Sequence, residues 1–139
     1  MRTSNIFVTV DAIVFRRLEN KLELLLIRRK HEPFKDAWAL PGGFVDQDED
    51  LHDAAVRELE EETCVKVTKM EQLKAFGKPG RDPRHHTVSV AFTTFVDQDT
   101  IATAADDAGE VGWFEVVELP ALAFDHAEII DVALSKINT

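Results

Sequence analysis

The sequence predicts an α/β domain in which a mixed sheet lies between helices. Three observations carry this expectation. The opening stretch reads strand, turn, strand. Only two substantial helical patterns occur, and strand-like segments fall between and before them. A hairpin at the start argues against a purely parallel sheet. No Gly-rich dinucleotide fingerprint follows the first strand, so a dinucleotide fold of that type is not expected.

The elements follow in order. In NIFVTVDAIVF, Ile6, Val8 and Val10 alternate with Phe7 and Thr9 and are rich in β-branched residues, which predicts a strand. RRLENK turns the chain, and LELLLIRRK returns it. AWALPGGFV carries Pro41, Gly42 and Gly43, breakers that end a strand in a tight turn. From about Leu51 to Thr63 the pattern is helical, with Asp50 as a plausible N-cap and Asp53 three residues on. VKVTKMEQLKAFGK and HHTVSVAFTTFV read as strands joined by the loop PGRDPR. EVGWFEVVEL reads as a further strand. FDHAEIIDVALSKI closes the chain as a helix, with Ile129, Ile130, Val132, Ala133 and Ile137 at helical spacing.

The 139 residues are expected to form one domain, spanning 1–139, with 45% apolar and 30% charged side chains. No repeat or low-complexity tract interrupts them. The net charge of −10, from 26 acidic and 16 basic residues, argues against nonspecific nucleic-acid or membrane binding. The expectation is therefore no nucleic-acid partner and no membrane. A lone cysteine, Cys64, suits a reducing compartment and reads as a small apolar residue at a helix end. No window is apolar enough for a membrane span and no signal peptide is evident, so a cytoplasmic location is the expectation.

The densest negative charge lies in AVRELEEETCV, where Glu58, Glu60, Glu61 and Glu62 crowd the end of the first helix. Like charges at these spacings cost roughly 0.2–0.5 kcal/mol per pair, and the helix dipole disfavours anions there. At 100° per residue, Leu51, Ala55, Glu58 and Glu62 share a stripe, with Glu61 beside it. The carboxylates thus sit on the rim of the inward face, while Glu60 and Asp53 point to solvent. Two readings fit. Either the charges face water, or partly buried carboxylates share a hard cation such as Mg²⁺ or Mn²⁺.

The surrounding spacing bears on the choice. Gly43 is followed by five residues and Glu49; seven more precede Arg57 and Glu58; then come Leu59, Glu61, Glu62 and Val65. This resembles the signature of the Nudix hydrolase family, enzymes that cleave nucleoside diphosphates linked to another group. The resemblance implies a Nudix-type α/β/α sandwich. One position departs from the pattern: Cys64 stands where the family has Gly, a residue that eases a left-handed helix exit. Cys in that conformation costs about 1 kcal/mol, so the exit is expected either to carry that strain or to take a different path.

The resemblance assigns roles. Glu58, Glu61 and Glu62, with the backbone carbonyl of Gly42, would hold Mg²⁺ (or Mn²⁺). Glu61 is also a base candidate. Arg57 and Glu49 would form a structural pair, although Glu49 also suits a helix N-terminus. Glu110, before VGWF, resembles the family's acidic position ahead of an aromatic strand and is the first candidate for base or distal ligand. Asp106 and Asp107 are weaker candidates. An acidic enzyme acting on a pyrophosphate needs local cations. Arg28, Arg29, Lys30, Lys78, Arg81 and Arg84 supply six of the 16. Arg28, Arg81 and Arg84 are the expected phosphate ligands. Each could equally be a solvated surface charge.

The loop GRDPR before HHTVSVAF, and LAFDHAEII near the end, resemble the family's ADP-ribose pyrophosphatase branch and the related domains of NAD-metabolism regulators. His126 would approach the substrate or pack against its own helix. Phe124, Trp38, Phe44 and Trp113 could stack on a base or fill the core. The activity implied is hydrolysis of ADP-ribose to AMP and ribose 5-phosphate. The alternatives are a Nudix hydrolase acting on an oxidised nucleoside triphosphate or a sugar nucleotide, and a non-catalytic ADP-ribose sensor. Because the sequence stops at Thr139, no additional DNA-binding domain is expected. Family members are commonly homodimers, so a homodimer is a possible assembly.

Overall fold

A computed structural model describes residues 2–106 and 108–137. Asp107 lies outside the described residues. The chain forms an α/β/α sandwich with a mixed central sheet, as the alternating patterns predict. In order, the elements are β1 (Ile6–Leu18), β2 (Lys21–Arg29), β3 (Trp38–Ala39), β4 (Gly42–Phe44), α1 (Leu51–Thr63), β5 (Glu71–Phe76), β6 (His86–Phe95), β7 (Ala108–Glu115) and α2 (His126–Ile137).

The long strand β1 organises the sheet. One edge pairs in parallel with β6 from Ile6↔His86 to Phe15↔Phe95. The other edge pairs with two partners in turn: β4 at Thr9–Asp11 and β2 at Phe15–Leu18. Strand β2 does likewise, meeting β1 near the hairpin and β3 at Ile27 and Arg28, while β7 lies along its opposite edge. The hairpin therefore splays open, and β3 and β4 wedge into the fork. Pro41 sits at the wedge, its carbonyl accepting from the Ala12 amide at 2.8 Å. The breakers Pro41, Gly42 and Gly43 thus do more than end a strand. They place a bend of backbone inside the sheet.

Strand alternation sorts the core into two layers. Val10, Ala12 and Val14 join Ala54, Ala55 and Leu59 of α1. Ile13 and Phe15 join Ile129, Ile130 and Ala133 of α2. Asp11 falls on the α2 side of that alternation, a buried carboxylate in an otherwise apolar strand.

Two expectations change. Val65 to Met70 is not a strand. Val65, Val67 and Met70 pack against the α1 layer, and the Met70 amide donates to His52 Nε2 at 3.0 Å rather than to a neighbouring strand. Cys64 is exposed rather than packed, in the left-handed conformation (φ 62°, ψ 10°) that ends α1. Asp50 occupies the N-cap position without a side-chain cap bond. No described helix is long and apolar enough to cross a membrane.

Candidate active site

The wedge opens onto a cleft bounded by α1 and by the start of α2. Gly42, Gly43, Glu58, Glu61, Glu62, Arg81, Arg84 and His126 all line it. Seven of the expected site positions are therefore brought together: Gly42, the three glutamates, the two loop arginines and His126. Arg28 and Glu110 are not among the lining residues. They pair with each other at 2.9 Å across β2 and β7, both well exposed. The reason is the period of the strand: Ile27 and Arg29 line the cleft, so the intervening Arg28 turns away. Asp106 also lines the cleft. Of the four aromatic candidates, Phe44 and Phe124 line it. Trp38 packs edge-on against Phe114, and Trp113 lies beneath the Arg16 guanidinium.

On the α1 wall, side chains one turn apart share a face. Glu62 is buried and accepts from the Gly42 amide at 2.7 Å, tying the helix to the wedge. Glu58 lies against Gly43, where any Cβ would come within 2.6 Å of its carboxylate. Glycine at this position is therefore a matter of space. Burial pushes the Glu58 carboxyl above its ordinary range, against the pull of Arg57.

Arg57 holds this wall together. Its Nε donates to Glu49 at 2.7 Å, and its Nη1 to Glu58 at 2.8 Å and Glu61 at 2.9 Å. Its Nη2 reaches the Phe44 carbonyl at 3.1 Å. The hydrogen bonds from Arg57 and from the Asp46 amide hold Glu49 down at a pKa of about 2. The Arg57–Glu49 pair is present, and the same guanidinium also grips two of the site glutamates. That wider reach is not legible in the spacing alone.

Among the described residues, no three His, Cys, Asp or Glu side chains form a group that could hold a metal. Glu58 and Glu61 turn to Arg57, and Glu62 turns to the Gly42 amide. The donor set still suits a hard divalent ion. Glu58 and Glu61 share one guanidinium, Glu62 stands one turn on, Glu58 is raised in pKa by burial, and all three are oxygen donors.

On the α2 wall, each charge has a partner. Arg81 meets Asp125 through two hydrogen bonds of 2.9 and 2.6 Å. Arg84 meets Asp82 at 3.1 and 2.8 Å. Asp82 is buried, which opposes its ionisation, yet the Arg84 bonds hold its pKa below the ordinary value. His126 Nδ1 accepts from the Leu40 amide at 3.0 Å, and Nε2 faces Asp11 at 3.6 Å. An amide can only donate, so the neutral ring carries its proton on Nε2. Burial lowers the His126 pKa, although Asp11 pulls the other way. His126 both lines the cleft and fastens β3 to α2.

Sequence reasoning missed Asp11, Asp82 and Asp125 as parts of this site. Asp11 could have been noticed as a lone charge in an apolar strand. The other two carry no signal beyond the GRDPR and AFDHA stretches in which they stand.

This arrangement is a metal-suited carboxylate wall facing an arginine wall, the plan of a phosphate-cleaving hydrolase. The comparisons with known proteins agree. The NUDIX domain family model matches residues 7–133, and the chain belongs to that family. It is a Nudix-type pyrophosphohydrolase, closely related to the ADP-ribose pyrophosphatase and NrtR branch.

An ADP-ribose pyrophosphatase of Methanocaldococcus jannaschii is 43% identical over 123 residues, covering 88% of this chain and 70% of that protein. The NUDIX domain of Shewanella oneidensis NrtR, solved with ADP ribose, superposes with a TM-score of 0.91 at 32% identity, covering 97% of this chain and 90% of the other. A bifunctional NMN adenylyltransferase/ADP ribose pyrophosphatase of Francisella tularensis, complexed with AMP and a Mn ion, gives 0.85 at 33% identity, covering 98% and 43%.

One expectation is corrected here. S. oneidensis NrtR has also been solved with a 27mer DNA, at a TM-score of 0.76 and 32% identity, with 94% of this chain matching 61% of that one. The expectation of no nucleic-acid partner therefore does not hold for this branch. Net charge is a sum over the chain and does not describe any one surface.

Proposed function

We propose that this chain hydrolyses ADP-ribose to AMP and ribose 5-phosphate with Mg²⁺ or Mn²⁺. One observation carries the reading: Arg81 and Arg84 stand on one wall of a cleft whose other wall presents Glu58, Glu61 and Glu62. A diphosphate laid between them meets arginine donors on one side and carboxylates suited to a metal on the other. The charge of the cleft favours a diphosphate diester. Seven acidic residues and four Lys or Arg line it. A triphosphate, with more negative charge, would be disfavoured there.

Glu58, Glu62 and the Gly42 carbonyl are the proposed metal ligands. The bound metal would polarise phosphoryl oxygens and lower the pKa of an attacking water. Glu61, half exposed on the cleft rim, is the proposed base. Its hydrogen bond to Arg57 keeps the carboxylate directed at the α1 wall. Arg81 and Arg84 orient the diphosphate, and His126 keeps the cleft floor closed by holding Leu40. A cytoplasmic setting suits the single exposed thiol of Cys64.

The test is a panel of ADP-ribose, an oxidised nucleoside triphosphate and a sugar nucleotide, assayed with Mg²⁺. ADP-ribose is expected to give the highest kcat/KM, with AMP as a product. Brisk triphosphate turnover without ADP-ribose turnover would overturn the substrate assignment. Tight ADP-ribose binding without any hydrolysis would leave a sensor.

A further inference from the structure

The loop Gly80-Arg81-Asp82-Pro83-Arg84 separates its two arginines by an acid and a proline. Gly80 takes φ 90°, so the bend that starts the loop needs glycine. Neither arginine is a loose surface cation. Arg81 is only 5% exposed and donates from Nε and Nη2 to the two oxygens of Asp125. Arg84 uses the same two nitrogens on Asp82. Asp82 also accepts from the Arg84 backbone amide at 2.9 Å, which locks the loop onto itself.

A side-on pair of this kind fixes the plane of the guanidinium and leaves Nη1 on its outer edge. Both arginines line the cleft. Asp125 directly precedes α2, where its carbonyl accepts from the Glu128 and Ile129 amides. That position ordinarily uses a short polar side chain to cap the helix. Here both carboxylate oxygens turn to Arg81 instead. Arg57 shows what the outer donor of such a pair does: Glu49 holds its Nε and Nη2 side-on in the same way, and its Nη1 lies on the anions in front of it, Glu58 and Glu61.

We propose that Asp82 and Asp125 are positioning residues that hold Arg84 and Arg81 as a preassembled, charge-balanced pair of donors for the diphosphate of the substrate. This deepens the functional reading and rests on its premise that a diphosphate occupies the cleft. The pairing has a physical purpose. Each aspartate fixes the plane of its guanidinium, so the outer donor has one direction and needs no reorganisation when an anionic ligand arrives in front of it.

The test uses the full chain, with Mg²⁺ and the panel nucleotide that wild type hydrolyses fastest. Asp125→Asn is expected to raise KM about tenfold with kcat within about twofold, since binding orientation is lost and no group at the reacting phosphorus changes. Arg81→Gln combined with Asp125→Asn should raise KM no further than Arg81→Gln alone, because Asp125 acts through Arg81. If Asp125→Asn does not fold, Arg84→Lys decides. It lies on a 41% exposed side chain, keeps the charge and loses the fork, and should raise KM roughly fivefold.

An unmoved KM, or a loss confined to kcat and melting temperature, would overturn the proposal and leave only a structural tie. A preferred nucleotide other than ADP-ribose would instead count against the functional reading, and the KM shift would still judge the two aspartates.

Discussion

On the α1 side of the cleft, Glu58 and Glu61 share a single guanidinium, that of Arg57, and Glu62 accepts from the Gly42 amide. On the α2 side, Arg81 has Asp125, Arg84 has Asp82, and His126 faces Asp11. One wall is short of positive charge; on the other, each of the two arginines is matched by an aspartate. The difference separates two tasks. A wall with surplus carboxylate suits a cation, the role proposed for it above. A matched wall has little net pull on ions, and it offers direction: donors held in known planes for a ligand to meet.

The strongest way to break this comparison is Glu62→Gln. If the α1 wall exists to take a cation, turnover should fall by more than about 100-fold. The fold should hold, since Gln can still accept from the Gly42 amide and one like charge is removed, a change of no more than about 0.5 kcal/mol. Paired kinetics and thermal melts check both parts. Normal turnover in this variant would remove Glu62 from the ligand set.

His126→Gln sharpens the opposite wall. The His126 pKa is lowered by burial, so the unfolded chain binds a proton that the folded ring resists. Stability should therefore fall as pH drops below the ordinary histidine value of 6.5, until the lowered folded value is passed. Gln retains an acceptor for the Leu40 amide and does not titrate. Urea melts across this range should show a shallower acid slope for the variant. An identical slope would mean that His126 is not the buried neutral ring described here.

Cys64→Gly carries the smallest expected effect. Cys64 ends α1 at φ 62°. Glycine there removes a handedness penalty of about 1 kcal/mol and should raise the melting temperature by a few degrees without altering turnover. No gain in stability would mean that the exit is unstrained with cysteine.

Both walls were only partly visible before the structure. The glutamates could be placed because helical periodicity is local: with 3.6 residues per turn, Glu58 and Glu62 must share a face, and Glu60 must point away. The burial of Glu62 and exposure of Glu60 follow that rule. The apolar alternation of β1 and the spacing of α2 were legible for the same reason. Arg28 and Arg29 show where such reasoning stops. A strand's period says that adjacent residues face opposite ways, but not which of them faces the cleft. That depends on how β2 registers against β7 and β3.

From the sequence alone follow the α/β layering, the acidic helix with its stripe of carboxylates, and the fixed spacing of Gly43, Glu49, Arg57 and the glutamates. Each is set by dihedral preference or periodicity within a few neighbouring residues. Tertiary structure alone decided that the hairpin would splay around Pro41, that α1 would leave through a left-handed Cys64, that Arg57 would reach Glu58 and Glu61 as well as Glu49, and that Asp125 would cross to Arg81. The hairpin contact and the Arg81–Asp125 pair join residues far apart in the chain. Charge and hydrogen-bonding capacity make many such partners equally acceptable, and only the packing of two helices on one sheet selects among them.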